Sequence, residues 1–565
     1  MNRPIRKVTI AFAVLFIALF VNLNVVQVVR GSSYRDDPQN RRVLLNEYAT
    51  PRGAIVVQGS NVAESVKTPD ELKYKRVYPN PNGPVYAPAT GFYSFTYGSS
   101  GIEQAENSVL SGDSPKLFTT KLAGLLTGRD PRGGSVQLTL NAAAQKAAYQ
   151  AMQVSKGKFK RGAVVALDPS TGAVLAMVST PSYDPNQLSS HDADAISRAY
   201  NCYSALNSDR RAGETQAQYR ARIDAQIAAR KKSCAGLPED PTAMFAADPT
   251  ADSPMLNKAI NQNYPAGSIF KIIDSAAALR LGVTPSTSLS SPNAYWPYEP
   301  NRTTPCPRSL NAACIENFEG EACDNGKAAQ LSFAFAKSCN TTFAKLVVEK
   351  VGAQRLVEQG KLFGLDTDQL KIPLAVSQST IGSPAELRRD RGALAQTAIG
   401  QRSVRVTPLQ AAMMSAAVAN NGTLMEPYLV KSELRPNLSV LQRTQPSQLT
   451  QVIDPDLDRE LANMMIGVVQ NPQGTGGPAR IPELEPTVQI GGKTGTADVG
   501  ATSASKVAPD AWFTGFATVR GTAKIAVAVV IENGGVQGNE ATGGLAAGPV
   551  AKKVIAAYLK SIGVS

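Results

Sequence analysis

The chain carries one histidine, His191, in the polar run QLSSHDADA. A Ser–His or Cys–His nucleophile pair would therefore have to be built on a single loop-like residue. The six cysteines, Cys202, Cys234, Cys306, Cys314, Cys323 and Cys339, include no C-x-x-C pair and have no neighbouring histidine. That pattern excludes the usual zinc spacings, and neither metal nor cofactor is expected. Zinc-finger spacing, aromatic RNA-binding motifs and any dense Lys/Arg stripe are missing too. The formal net charge of +13 therefore points to anionic lipid or an acidic wall polymer and not to nucleic acid. Only one long apolar run is present, so a multi-span membrane protein is excluded.

That run decides the compartment. Arg3, Arg6 and Lys7 precede Val8 to Val29, which are 22 residues without a charge. The length suits a membrane-crossing helix, and the basic flank favours a cytoplasmic N-terminus. A cleaved signal peptide is the rival, but the run exceeds the usual apolar core and no A-x-A site follows. The expected order is a cytoplasmic tail over 1–7, a transmembrane anchor over 8–29 and everything else outside the cytoplasm. An even cysteine count suits an oxidising compartment. At 43% hydrophobic and 18% charged, the 565 residues can bury a full core and divide into two domains.

Residues 30–134 are rich in Pro, Gly, Asn and Tyr with short alternating runs such as GAIVV, which predicts a small, irregular, β-leaning domain. The stretch Ser135 to Gln153 reads as a strand followed by a helix. Gly162 to Ser179 reads as a hairpin around Asp-Pro-Ser-Thr-Gly. The middle is helical: one helix follows Pro-Ala-Gly and stops at Gly282, and another spans Thr407 to Gly422. Strands return at AWFTGFATV and KIAVAVVIE, before a last helix opened by Gly548-Pro549. Strands at both ends of one region predict a single sheet assembled from both ends and flanked by helices. Between Cys202 and Cys234 lies a basic, polar insertion that reads as a solvated surface helix, stapled at its base by those two cysteines.

Ser268 and Lys271 stand three apart at a helix start, in YPAGSIFK. S-x-x-K alone is a chance-level pattern and recurs at Ser155 to Lys158 and at Ser503 to Lys506; S-x-N recurs at Ser291 to Asn293. The ordered set is specific: Ser268-x-x-Lys271, Ser338-Cys339-Asn340, then Lys493-Thr494-Gly495-Thr496 between apolar runs. With SCNTTFAKL, AIGQRSVRVTPLQAAMMSAAVANNGTLMEP, AWFTGF, NEYATPRGAIV and YGSSGIEQAENSVLSG, the chain resembles class B penicillin-binding proteins over nearly its whole length after the anchor. The exception is the 202–234 insertion.

The resemblance implies an α+β (α/β) β-lactamase/transpeptidase-like domain over 135–565, with an antiparallel sheet flanked by helices. It also implies a small β-rich N-terminal pedestal domain over 30–134 beside the transmembrane helix. Ser268 is the expected nucleophile, and a lysine three residues on shares its helix face. Lysine is normally protonated to about pH 10, so burial and a second cation, Lys493, are expected to depress Lys271 until it serves as base. By resemblance, Ser338 relays the proton to the leaving amine and Asn340 holds Lys271 and the substrate amide. Lys493 and Thr494 bind the terminal carboxylate of D-Ala-D-Ala stem peptides or of β-lactam inhibitors. Gly495 permits close backbone approach, and the N–H groups of Ser268 and Thr496 form the oxyanion hole.

Cys339 stands where many relatives carry Asp, Gly-Gln-Arg at 400–402 replaces the commoner Gly-Gln-Gly, and Thr518 stands where many have Pro. None removes a chemical role. Four readings are weighed: D,D-transpeptidase, D,D-carboxypeptidase, β-lactamase, and a non-enzymatic β-lactam sensor or wall-assembly scaffold. The anchor, the pedestal and the lack of a placeable deacylating glutamate disfavour a β-lactamase. Residues 30–134 cannot hold a glycosyltransferase, so a separate SEDS-type membrane glycosyltransferase is the implied partner. Ser338 and Asn340 must face the cleft, so Cys339 should face away, and Cys323 is its nearest cysteine. Six cysteines allow fifteen pairings; the expected set is Cys323–Cys339, Cys306–Cys314 and Cys202–Cys234.

Overall fold

The β-branched runs of the C-terminal region pair as the alternation predicts. In the computed structural model, which describes residues 3–30, 47–79, 81–117, 132–155, 158–237, 239–302, 304–307, 313–367, 370, 372–498 and 508–564, five antiparallel strands form the central sheet. Their order is Val174–Thr180, Gly162–Leu167, Thr522–Ile531, Asp510–Val519 and Val488–Ala497. The sheet therefore draws two strands from one end of the region and three from the other. Gly162–Leu167 and Val174–Thr180 are buried at every position, as strands covered on both faces must be. The Pro408–Ala419 helix packs on this sheet with every residue from Pro408 to Val418 buried; Thr407 caps it through the Gln410 N–H. The Gly548–Ser561 and Ala142–Met152 helices pack on each other and on the sheet.

The strand carrying Lys493 to Thr496 lies at the sheet's edge. An edge strand presents unpaired N–H and C=O groups that an extended peptide can join. Placing the sequence Lys-Thr-Gly-Thr there puts an open backbone ladder beside Ser268.

The N-terminal region does not close its own sheet. Strands Ile55–Val57, Ser60–Lys67 and Tyr74–Val77 are completed by Ser135–Leu138, Val430–Leu434 and Val440–Arg443. Ile55 pairs in parallel with Val136, and Leu138 pairs antiparallel with Val430. The expected boundary at 134 thus falls at a strand shared by both sides. The region is also less β-rich than its alternation suggests, with helices at Asn82–Thr90, Gly101–Ala105 and Asn107–Ser111. Residues 31–46 and 118–131 of it lie outside the described residues.

Its core holds three charges. Glu103, fully buried, accepts from Arg52 Nε at 2.7 Å and Arg76 Nε at 2.6 Å, and the Tyr78 hydroxyl donates to it at 3.2 Å. Burial opposes its charge, yet Arg76 and Arg52 hold its carboxyl below the ordinary range.

Arg3–Asn24 is helical, and Ile5–Gln27 is apolar enough to cross a membrane, with mean hydropathy 2.4 and no buried surface. The 202–234 insertion is helical as expected, with helices Ala193–Tyr203 and Gln216–Cys234 joined by the Cys202–Cys234 disulfide. It is not wholly solvated: Ile223 and Arg230 are buried, and Cys202, Tyr203 and Cys234 pack with Ala87 and Phe92.

Candidate active site

Pro-Ala-Gly turns the chain sharply before Ser268. Gly267 adopts φ +54, and a Cβ there would lie 2.9 Å from the Thr496 carbonyl oxygen. Its N–H donates to the Gly400 carbonyl at 2.9 Å, and a Cβ on Gly400, itself at φ +72, would lie 2.0 Å from the Gly267 carbonyl oxygen. Both glycines are required for three backbones to meet beside the nucleophile. Trp512 Nε1 donates to the Pro265 carbonyl at 3.0 Å and pins the loop to the sheet. A 3₁₀ turn, Gly267–Phe270, leads into the Lys271–Leu279 helix, which is buried throughout.

The fold brings the second and third motifs to this turn. Leu331–Lys337 ends at Ser338 in the left-handed conformation, φ 65, and the Asn340–Leu346 helix starts two residues later. Lys271 Nζ then lies 3.0 Å from Ser268 Oγ, 3.2 Å from Ser338 Oγ, 2.8 Å from the Ser338 carbonyl and 2.7 Å from Asn340 Oδ1. A carbonyl and an amide oxygen can only accept, so they take the two N–H bonds of a neutral amine. Its lone pair is left for the serine hydroxyls, which is the geometry of a general base.

Electrostatics agree. Burial lowers Lys271 to about 7, against an opposing pull from Asp274. Asp274, one turn on, is buried with neither carboxyl oxygen hydrogen-bonded among the described residues; burial lifts its carboxyl well above the ordinary range. Lys493, fully buried, is depressed by burial and then by Lys271. Burial is the largest cause of the depression of both amines, and repulsion between two neighbouring cations acts on each of them.

Lys493 Nζ donates to Ser338 Oγ at 2.8 Å and to the Thr494 carbonyl at 3.0 Å. It therefore bridges Ser338 to the edge strand. Thr494 Oγ1 meets Thr475 Oγ1 at 2.6 Å. A Cβ on Gly495 would meet Ala266 O, Ile269 Cγ2 and Trp512 Cβ, each at 3.1 Å. Thr496 lies next along the strand against Gly267. All eight candidate residues converge. Ser503 to Lys506 and the middle of Ser155 to Lys158, the competing matches, lie outside the described residues.

Two contributors have no sequence signal. Thr475 sits in the turn-rich NPQGTGG, and the Glu316 carbonyl accepts from Asn340 Nδ2 at 3.1 Å, fixing which way that amide faces. Cys339 is 3% exposed and points into the core, and the three disulfides are Cys323–Cys339, Cys306–Cys314 and Cys202–Cys234 as expected.

Residues 162–556 match the penicillin binding protein transpeptidase domain. The chain belongs to the penicillin-binding protein transpeptidases. Residues 52–136 match the penicillin binding protein A dimerisation domain. The chain is similar to peptidoglycan D,D-transpeptidase PbpA of Mycolicibacterium smegmatis, at 41% identity over 99% of both chains, and to that of Mycobacterium tuberculosis at 38%. Among solved structures it resembles M. tuberculosis penicillin-binding protein A in its ceftriaxone acyl-enzyme complex, at TM-score 0.74 and 37% identity. That match covers 91% of this chain and 100% of the other. The penicillin G acyl-enzyme complex of the same protein aligns at TM-score 0.72.

Proposed function

We propose that the chain is a membrane-anchored peptidoglycan D,D-transpeptidase whose acyl-enzyme forms on Ser268. The observation that carries this is the buried amine of Lys271, 3.0 Å from Ser268 Oγ and held at about 7. Ser268 Oγ attacks the carbonyl carbon of the penultimate D-Ala, and its proton passes to Lys271 Nζ. The N–H groups of Ser268 and Thr496 hold the oxyanion. The C–N bond breaks, and the departing D-Ala amine takes a proton relayed through Ser338. An amine of a neighbouring stem then attacks the ester and restores the serine hydroxyl. Asn340 Nδ2 has one N–H beyond its bond to Glu316 and can offer it to the substrate amide. Thr494 Oγ1 and Lys493 receive the terminal carboxylate, whose charge favours the ammonium form of Lys493.

The relatives' activity and the open edge strand support cross-linking. Water in place of the amine would make the enzyme a D,D-carboxypeptidase. The apolar Ile5–Gln27 helix supports a single-pass anchor with the catalytic domain outside the membrane, beside a SEDS-type glycosyltransferase. We divide the chain at 30–134 and 135–565, with a strand shared between the two parts.

Benzylpenicillin should give one covalent adduct by intact-mass analysis, absent from Ser268→Ala. An undiminished adduct in that variant overturns the mechanism. With lipid II, a glycosyltransferase and acceptor stems, cross-linked product is expected; trimmed stems alone would make the enzyme a carboxypeptidase.

A further inference from the structure

The turn that carries Ser268 is held differently on its two sides. At Gly267 the backbone itself interlocks with Gly400. Before it, the strand Tyr264–Pro265 pairs antiparallel with Arg405–Val406 over only those two residues, and Trp512 Nε1 holds the Pro265 carbonyl at 3.0 Å. So short a pairing is a weak hold for a segment that must keep Ser268 Oγ 3.0 Å from Lys271 Nζ.

The Tyr264 side chain supplies what this backbone lacks. Its buried ring meets Trp512 edge-on, with centroids 5.8 Å apart, and its hydroxyl donates to Glu532 Oε1 at 2.7 Å. Glu532, also buried, follows the last residue of the Thr522–Ile531 strand, and its N–H donates to the Arg161 carbonyl at 2.9 Å. Lys258 Nζ donates to the same Oε1 at 2.6 Å, and Arg161 Nε lies 2.8 Å from Oε2. Lys258 is in turn fixed by its own N–H, which donates to Ser179 Oγ at 3.1 Å. Arg161 also pairs with Asp248 at 2.9 Å, and Asp252 and Asp510 face the same two cations.

Burial opposes the charge on Glu532, but Lys258 and Arg161 hold its carboxyl below the ordinary range. Burial, and then the charge of Glu532, push the Tyr264 hydroxyl well above its ordinary range, so it stays a donor. The bond between them is therefore charge-assisted and stronger than a neutral one. A buried ion pair is by itself weak support for stability. What Lys258 and Arg161 supply is a single orientation of the carboxylate from which Tyr264 hangs.

We infer, on the reading of Ser268 above, that Glu532 is a positioning residue for acylation, acting through the Tyr264 hydroxyl to fix the turn that aims Ser268 Oγ. A tyrosine tied to an anchored carboxylate cannot slide along Arg405–Val406 or lift from Trp512. A phenylalanine of the same shape is free to do both.

Stopped-flow acylation of the full-length protein in detergent by benzylpenicillin tests this. It separates the limiting acylation rate from the dissociation constant of the complex that precedes it. Tyr264→Phe keeps the ring against Trp512 and removes the hydroxyl alone. A misplacement of about 1 Å costs about 10²-fold, so this partial release should slow the limiting rate about tenfold and leave the dissociation constant within about twofold. Glu532→Gln keeps an oxygen for the Tyr264 hydroxyl and removes the charge. It should lower the urea midpoint, because Lys258 and Arg161 lose their partner, yet hold the limiting rate within about threefold of wild type. Tyr264→Phe acylating at the wild-type limiting rate, a loss lying only in the dissociation constant, or Glu532→Gln slower than Tyr264→Phe would each overturn the inference. Failure of benzylpenicillin to acylate the wild type would instead overturn the Ser268 reading.

Discussion

Two clusters of buried charge, one in the N-terminal sheet and one at Ser268, begin from similar materials and end in opposite states. Arg52 and Arg76 surround Glu103, and their attraction holds its carboxyl below the ordinary range in the interior, while Glu103 raises Arg52. Lys271 and Lys493 are as deeply buried, but the carboxyl that opposes the depression of Lys271, Asp274, is itself raised well above its ordinary range by burial. Burial outweighs what attraction there is, and both amines are depressed. Pairing makes buried cations structural; withholding the partner makes them reactive.

Removing the base should break the comparison most sharply. Lys271→Ala is expected to slow penicillin acylation by about 10²–10⁴-fold with the fold intact, measured by stopped-flow trapping beside circular dichroism. The proposed base is the neutral amine of Lys271, which burial lowers to about 7. Acylation should therefore be full above that pH and decline about tenfold per unit below it. A rate flat down to pH 5 would show that Lys271 is not the base.

Glu103→Gln would turn the pedestal cluster into a second pair of unpartnered cations. The expected loss is about 3–5 kcal/mol of stability, read by urea unfolding, with the acylation rate of the folded protein unchanged. A small loss would mean that water or nearby polar groups already solvate Arg52 and Arg76.

The smallest effect concerns the brace beside the site. Replacing Cys323 and Cys339 together by serine opens a loop of 16 residues in separation and should cost about 3 kcal/mol. Acylation should slow only modestly, because Ser338 remains held by Lys271 and Lys493 at 3.2 and 2.8 Å. Full loss of acylation would mean that the disulfide, and not the two amines, positions Ser338.

Much of this was legible in the chain, for physical reasons that differ by element. The central strands announce themselves because burial on both faces demands unbroken Val, Ile and Ala, as in Thr522–Ile531. The Thr407 cap and the Gly400 and Gly267 turns follow from backbone chemistry local to those residues. Local pattern did not extend to the sheet that joins Ile55–Val57 to Ser135–Leu138 and Val430–Leu434, since alternation says which residues pair but not with whom. Nor could it reach Thr475, the Glu316 carbonyl or the cluster at Glu532, which are made by approach of distant segments.

The sequence by itself determined that Ser268 and Lys271 share a helix face, because an i, i+3 spacing is a property of one turn of chain. Only tertiary structure gave the lysine the surroundings that suit a base. The depression to about 7 requires full burial, and the contacts that spend its N–H bonds come from residues 67 and 69 positions away. A pKa depends on the medium around a group, and that medium exists only once the helices and the edge strand have packed.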